Sequence, residues 1–169
     1  MDKGFALEIG PSPRVLVLGS MPSQKSLEKV EYYGHPQNAF WKIMIRYFDL
    51  DKDLDYQSRL KHVLDSGIAI WDVIQSCERP GSMDADIVKE TIVVNEIEEL
   101  TRKEPSIKAI LLNGGTAETT FKKHLSKENF IKRGIKLEKM PSTSPAYAKM
   151  SLDDKYKIWS RVLDQNLNS

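Results

Sequence analysis

The chain has 169 residues, 40% hydrophobic and 29% charged, which predicts one soluble globular domain, residues 1–169, with a sizeable core. Its one cysteine, Cys77, excludes an intrachain disulfide framework and a Cys-rich metal or iron–sulfur site, and fits a reducing, cytoplasmic compartment. The formal net charge of +1 gives no overall argument for a nucleic-acid partner.

The opening stretch MDKGFALEIGPSP has no long apolar run, and no apolar window of about 18 residues follows it. Neither a signal peptide nor a membrane span is expected. RVLVLG (14–19) is nearly all apolar and reads as a strand covered on both faces. After it come GSMPS (19–23) and then YYGHPQNAFW, where four aromatic rings sit with His35 and Asn38 inside ten residues. Apolar residues three and four apart predict helices over 38–48 and 56–66, the second stopping at Gly67. GIAIWD (67–72) predicts a second buried strand, ending on Asp72. A helix over 94–104 ends before Pro105, and IKAILLN (107–113) predicts a third strand. NGG (113–115) leads into a helix over 116–125. Residues 122–139 hold seven Lys/Arg against two Glu, most simply a solvated face. GIKLEKM (134–140) alternates apolar with charged residues, as an edge strand does. PSTSPAYA (141–148) follows, and a last helix over 151–167 opens on an approximate capping box of Ser151 and Asp154.

Strands alternating with helices predict an α/β fold, a parallel sheet with helices on both faces. Such sheets bind ligands beyond the carboxyl ends of their strands. The segments there are GSMPS, WDVIQSCERPGS, NGG and PSTSPAYA, so all four are expected to line one cleft.

Each segment has a plain reading beside the functional one. Gly19 permits a tight turn and Ser20 and Ser23 can cap it, as in many strand-to-helix turns. The rings of YYGHPQNAFW suit a flat ligand, because base–aromatic stacking contributes roughly 1–3 kcal/mol per base. Phe40 and Trp41 also start an amphipathic helix, and one of the two is expected in the core. Asp72 at the end of a buried strand is costly unless paired. It either caps the next turn or accepts a hydrogen bond from a ligand. Asn113 with two glycines allows backbone to approach a ligand closely. The Ser-Pro frame of 142–145 makes a stiff loop rich in hydroxyls. No G-x-S-x-G elbow is present, which argues against an α/β-hydrolase.

Taken in order, VLVLGSMPS, SLEKVEYYGHPQNAFW, GIAIWDVIQSCERPGSMDADI, AILLNGGTA and MPSTSPAYA resemble the uracil-DNA glycosylase superfamily, in its hypoxanthine (deoxyinosine) branch. The resemblance implies a three-layer α/β/α sandwich around a central four-stranded parallel sheet. It implies a monofunctional base-excision enzyme that acts on DNA containing deaminated bases, without metal or other cofactor; a duplex-scanning enzyme of this size is expected to be a monomer. Uracil cleavage, or binding of a damaged base without cleavage, are the competing expectations. By the same resemblance Phe40 stacks a flipped base and Asp72 accepts from its ring N–H. Gly19, Ser20 and Met21 line the substrate. Asn38 is catalytic through water or the leaving base, with Asn113 as a second contributor. Ser142, Ser144 and Pro145 meet the phosphate backbone or enter the duplex. The sequence departs from most relatives at Met21, where they carry Asp or Asn to position water. It also lacks the His often found in their second motif. Both departures point away from strong uracil activity.

Overall fold

The computed structural model describes residues 1–168. In chain order the elements are β1 (Asp2–Lys3), β2 (Val15–Gly19), α1 (Gln24–Lys29), α2 (Ala39–Tyr47), α3 (Tyr56–Asp65), β3 (Ile68–Asp72), β4 (Ile74–Glu78), β5 (Val88–Val94), α4 (Ile97–Lys103), β6 (Ala109–Asn113), α5 (Gly115–His124), α6 (Lys127–Lys132), β7 (Lys136–Met140) and α7 (Leu152–Leu167). A single 3-10 turn, Asp84–Asp86, lies between β4 and β5.

Four strands form a parallel sheet in the order β3-β2-β6-β7. Gly19 pairs with Asp72 at one ladder end and Asn113 with Met140 at another. All four strand ends predicted to line a cleft therefore stand side by side. The period-2 alternation of strand side chains splits each strand between two cores. Val15, Val17, Ile68, Ile70, Ala109 and Leu111 pack with residues of α2, α3 and α7. Leu16, Leu18, Ala69, Ile110 and Leu112 pack with residues of α4, α5 and α6. This is the expected three-layer sandwich, and β7 takes the expected edge.

Helix ends follow the expected capping chemistry. Asn38, Asp55 and Ser151 cap α2, α3 and α7 with side-chain oxygens that accept backbone N–H bonds. Gly67, at φ +104°, stops α3 where only glycine is unstrained.

A second, antiparallel sheet, β1-β4-β5, was not expected. It corrects the predicted helix over 94–104, which starts only at Ile97 because residues 88–94 form β5. The β-branched run Thr91-Ile92-Val93-Val94 favours a strand, and β4 supplies its pairing partner.

Candidate functional site

The candidate site at the sheet's carboxyl edge gathers the ends of β2, β3 and β6, the loop before α2 and the loop after β7. After β2 the chain turns sharply. The carbonyls of Gly19 and Ser20 accept from the N–H groups of Val73 and Ile74 at 2.8 and 3.1 Å. Gly19 leaves no room for a side chain. A Cβ there would stand 2.6 Å from Asp72 Oδ1 and 3.0 Å from the Tyr33 hydroxyl. Glycine at this position thus lets a carboxylate and a phenol approach the backbone together.

Asp72 is 3% exposed, and its Oδ2 is buried without a hydrogen-bond partner. The Asn95 amide donates to the Asp72 backbone carbonyl at 2.8 Å, so the main chain is tied while the carboxylate is not. Burial, reinforced by the nearby Asp84 carboxylate, pushes the Asp72 pKa up to about 7. Of the two readings open for Asp72, the turn cap is not realised: no backbone N–H among the described residues bonds the carboxylate, and its Oδ2 is buried without a partner. Ser20 donates its hydroxyl to Asp84 Oδ1 at 2.8 Å, which holds that second carboxylate near the strand end.

The ring cluster differs from expectation. Phe40 and Trp41 are both core, at 0% and 6% exposure, where one was expected to face the cleft. The reason is Tyr33. Its ring lies over Phe40 with centroids 4.2 Å apart and planes 22° from parallel. The face of Phe40 that a flat ligand would use is thus covered. Tyr33 has a left-handed backbone, φ +56°, and its hydroxyl is buried beside the Asn113 amide. Burial and the Asp72 carboxylate hold that phenol well above its ordinary pKa, and the nearby Asn113 amide offsets this only partly. The same amide is committed to a second partner.

That commitment is to Thr143. Asn113 Nδ2 donates to Thr143 Oγ1, and Asn113 Oδ1 accepts from the Thr143 N–H, both at 3.0 Å. The Thr143 carbonyl accepts from the Ala39 N–H at 2.9 Å. One buried threonine therefore ties the loop after β7 to the end of β6 and the start of α2. Gly114, at φ +99° and packed against Ser142, permits the turn beneath it. Asn38 Oδ1 accepts from Phe40 N at 2.9 Å as the α2 cap, and its Nδ2 makes no bond within the described residues. Beyond Thr143 the loop is a pair of hydroxyl turns. Ser142 Oγ accepts from Ser144 N, and Ser144 Oγ accepts from Ala146 N, both at 3.2 Å, leaving Pro145 at an exposed tip. Lys155 of α7 is buried, and its ammonium donates to the Ser144 carbonyl at 3.4 Å and lies 5.4 Å from the centroid of the Tyr147 ring.

Gly19, Asp72, Asn38, Asn113 and the 142–145 loop thus come together. Met21 does not: its side chain packs with Ile74, Cys77 and Ile87, where a thioether loses less than it would facing a polar cleft. Only its backbone remains for a ligand. Sequence reasoning missed Tyr33, Thr143 and Asp84. The ring density of YYGHPQNAFW was a signal for Tyr33, and the hydroxyl-rich loop 141–148 was one for Thr143; nothing local marked Asp84. Among the described residues no cluster of three or more His, Cys, Asp or Glu is placed to hold a metal ion. No helix among them is long and apolar enough to cross a membrane.

Comparison with known proteins bears on the same cleft. The profile of the Uracil DNA glycosylase superfamily matches residues 8–163. A hypoxanthine DNA glycosylase of Methanosarcina barkeri is 35% identical over 113 residues, 66% of this chain and 70% of the relative. A protein of the same name from Methanosarcina acetivorans is 33% identical over 118 residues, 69% of this chain and 73% of the relative. The solution NMR structure of a Methanosarcina acetivorans protein, provisionally described as a uracil DNA glycosylase, superposes with a TM-score of 0.81. It is 28% identical and covers 99% of this chain and 98% of its own.

Proposed function

The chain belongs to the uracil DNA glycosylase superfamily, and on that footing we propose that it is a monofunctional deoxyinosine glycosylase that removes hypoxanthine from DNA in base excision repair. The observation that carries the base class is the buried Asp72 carboxylate, whose Oδ1 stands beside Gly19 and whose Oδ2 is without a partner. A buried acceptor without a donor is a cost that a ligand N–H would remove. Hypoxanthine offers N1–H there, and uracil offers N3–H. Adenine presents a bare ring nitrogen, whose lone pair would face the carboxylate.

The chemistry is hydrolysis. A water oxygen bonds to C1′ of the deoxyribose while the C1′–N9 bond breaks, its electron pair leaving on the base. The water proton passes to the departing base or to solvent. The base must first leave the stack. The transition state joins a cationic sugar to an anionic leaving group, so fixed dipoles at the base lower the barrier. Asn38 supplies one, because its Oδ1 is held by the α2 cap and its Nδ2 remains free to donate to water or the leaving base. Asn113 contributes by fixing the loop through Thr143. Ser142, Ser144 and Pro145 then present the loop tip to the phosphate backbone.

The test is a single-turnover assay on duplexes carrying one deoxyinosine or one deoxyuridine, with chelator present and alkali to reveal abasic sites. Cleavage at deoxyinosine is the expected result. Cleavage confined to deoxyuridine would keep the family and overturn the base. Binding without cleavage of either would make the chain a damaged-base binding module.

A further inference from the structure

Lys155 has been taken out of water and given nothing of opposite charge. It is 5% exposed, and no carboxylate among the described residues lies within ion-pair distance of its ammonium. An ammonium carries three N–H donors. The one bond it makes, to the Ser144 carbonyl, is long at 3.4 Å, and that carbonyl already accepts the Tyr147 N–H at 3.0 Å. The Tyr147 ring, 5.4 Å away, offers a weak cation–π contact. Burial pushes the Lys155 pKa down, since nothing nearby compensates the charge.

Its place on α7 adds to the cost. Lys155 is the fourth residue of that helix, near the end where the helix dipole is positive and disfavours a cation. Helical side chains lean towards the N-terminus, which brings this one against the loop after β7. The acids of the same turn do not offset it. Asp153 pairs with Arg46 at 2.9 Å and with Lys157 at 3.3 Å, and Asp154 is exposed. A lysine that only filled this space would be replaced by methionine at no loss of stability.

The loop beside it also holds unused donors. Ser142 Oγ and Ser144 Oγ accept the N–H groups of Ser144 and Ala146, so the hydrogen of each hydroxyl remains for another acceptor. Neither hydroxyl donates a bond among the described residues. Thr143 between them is clamped to Asn113 and to the start of α2, which fixes the loop relative to Asn38 and the strand ends. No acidic residue occurs from 141 to 150. Two hydroxyl donors and an unbalanced ammonium thus share one loop. An oxyanion with more than one acceptor oxygen, such as a phosphodiester, is the chemistry that satisfies them.

We propose that Lys155 is a DNA-phosphate contact supplied by α7: its ammonium rests against Ser144 and Tyr147 in the free protein and pairs with a backbone phosphate, bound also by Ser142 and Ser144, when a duplex lies on the loop. The proposal rests on the glycosylase reading and adds to substrate binding a residue outside the loop. The phosphate offsets the burial of the cation, and the cation releases a counterion from the DNA. Such a contact sets the register of the duplex and reads no base, so it acts on damaged and undamaged DNA alike.

The test is fluorescence-anisotropy titration of wild type, Lys155→Met and Lys155→Arg with an undamaged duplex, from about 50 to 200 mM salt. Losing one phosphate contact should lower the slope of log affinity against log salt by about 0.9. Lys155→Met should therefore bind roughly eightfold more weakly at about 0.1 M salt, with the deficit shrinking as salt rises. Lys155→Arg keeps the charge and should keep the wild-type slope. Thermal unfolding separates this from a structural role. Methionine relieves a buried charge, so Lys155→Met should melt at or above the wild-type temperature while binding DNA less well. A Lys155→Met slope equal to wild type overturns the contact even where affinity falls, because the lysine would then only position the loop. A Lys155→Arg slope as low as that of Lys155→Met overturns it too, as does a wild-type protein that binds no DNA. If Lys155→Met is not folded by circular dichroism, the Lys155 Cε signal in NMR spectra of wild type decides: it should shift when duplex is added, and an unmoved signal overturns the contact. Wild-type cleavage of deoxyinosine is scored separately. Cleavage with an unchanged Lys155→Met slope would sink the contact alone, and a lowered slope without cleavage would sink the glycosylase reading alone.

Discussion

Asp72→Asn should stabilise the fold at alkaline pH while impairing excision. The carboxyl titrates at about 7 in place of 3.8 because burial and Asp84 oppose its charge. About three pKa units at about 1.36 kcal/mol each put the cost of the ionised form near 4 kcal/mol at pH 8. Asparagine removes the charge but brings two N–H donors to a site with little to receive them, which returns about 1–3 kcal/mol. A net gain of about 2 kcal/mol remains, or about 4–8 °C in Tm for a chain of this size. The gain is confined to one side of the pH scale. Because the folded pKa is raised, wild-type stability is fully present below pH ~4 and is lost as pH rises towards ~7. Thermal unfolding from pH 4 to pH 8 should therefore show a falling wild-type curve and a flatter Asp72→Asn curve that cross, the variant being about 1–3 kcal/mol less stable at pH 4. In single-turnover excision at pH 8 the variant should lose about 1–3 kcal/mol of transition-state binding, roughly five- to hundredfold, because an amide donor would meet the base N–H. A variant that keeps the wild-type pH slope, or is less stable at pH 8, would refute the assignment of the buried charge to Asp72. Unchanged excision would refute its role as the base acceptor.

Asp84 lies behind the same shift, so Asp84→Asn should move the midpoint of the pH–rate profile below that of wild type; a midpoint that stays or rises would count against this. Asn38→Ala should lose the α2 cap and about 1 kcal/mol of stability in urea unfolding. Asn38→Asp keeps the Oδ1 cap and the stability but lacks the donor amide, so its excision rate should still fall by about a hundredfold or more, the size of losing one donor to developing charge; a fully active Asn38→Asp would remove the amide from the mechanism. Asn113→Ala breaks both bonds to Thr143 and should cost about 1–3 kcal/mol, with faster amide exchange at residues 142–144 as the local sign. Gly114→Ala forces a Cβ into the left-handed region and to 2.9 Å from Ser142 Cβ. It should destabilise by about 1–2 kcal/mol or more, and an unaltered unfolding midpoint would show that the turn relaxes freely.

Much of the protein was legible in its sequence because the signals are local. VLVLG, IAIWD and AILLN are continuous apolar runs, and only strands covered on both faces need them. Alternation with helical periods then leaves little besides a parallel sheet. The same pattern puts Gly19, Asp72 and Asn113 at carboxyl ends, so their side-by-side placement was predictable before any coordinates. Asn38 could likewise be placed just before a helix.

Other features depended on partners far away in the chain. The strand Val88–Val94 exists because Ile74–Glu78 offers it an edge, and a helix reading of its last residues was locally reasonable. Phe40 was visible as a ring at a helix start, but its burial depends on Tyr33 folding back over it. Asn113 was visible as an amide at a strand end, but Thr143, thirty residues on, decides that it clamps a loop. Met21 was placed by its position after Gly19, yet the apolar cluster with Ile74, Cys77 and Ile87 claims its side chain. Backbone periodicity is written residue by residue, so the sequence alone determined the layers, the strand ends and the family. Which side chains pack together and which polar groups find partners is a competition for space and hydrogen bonds among distant segments, and only the tertiary structure decided it.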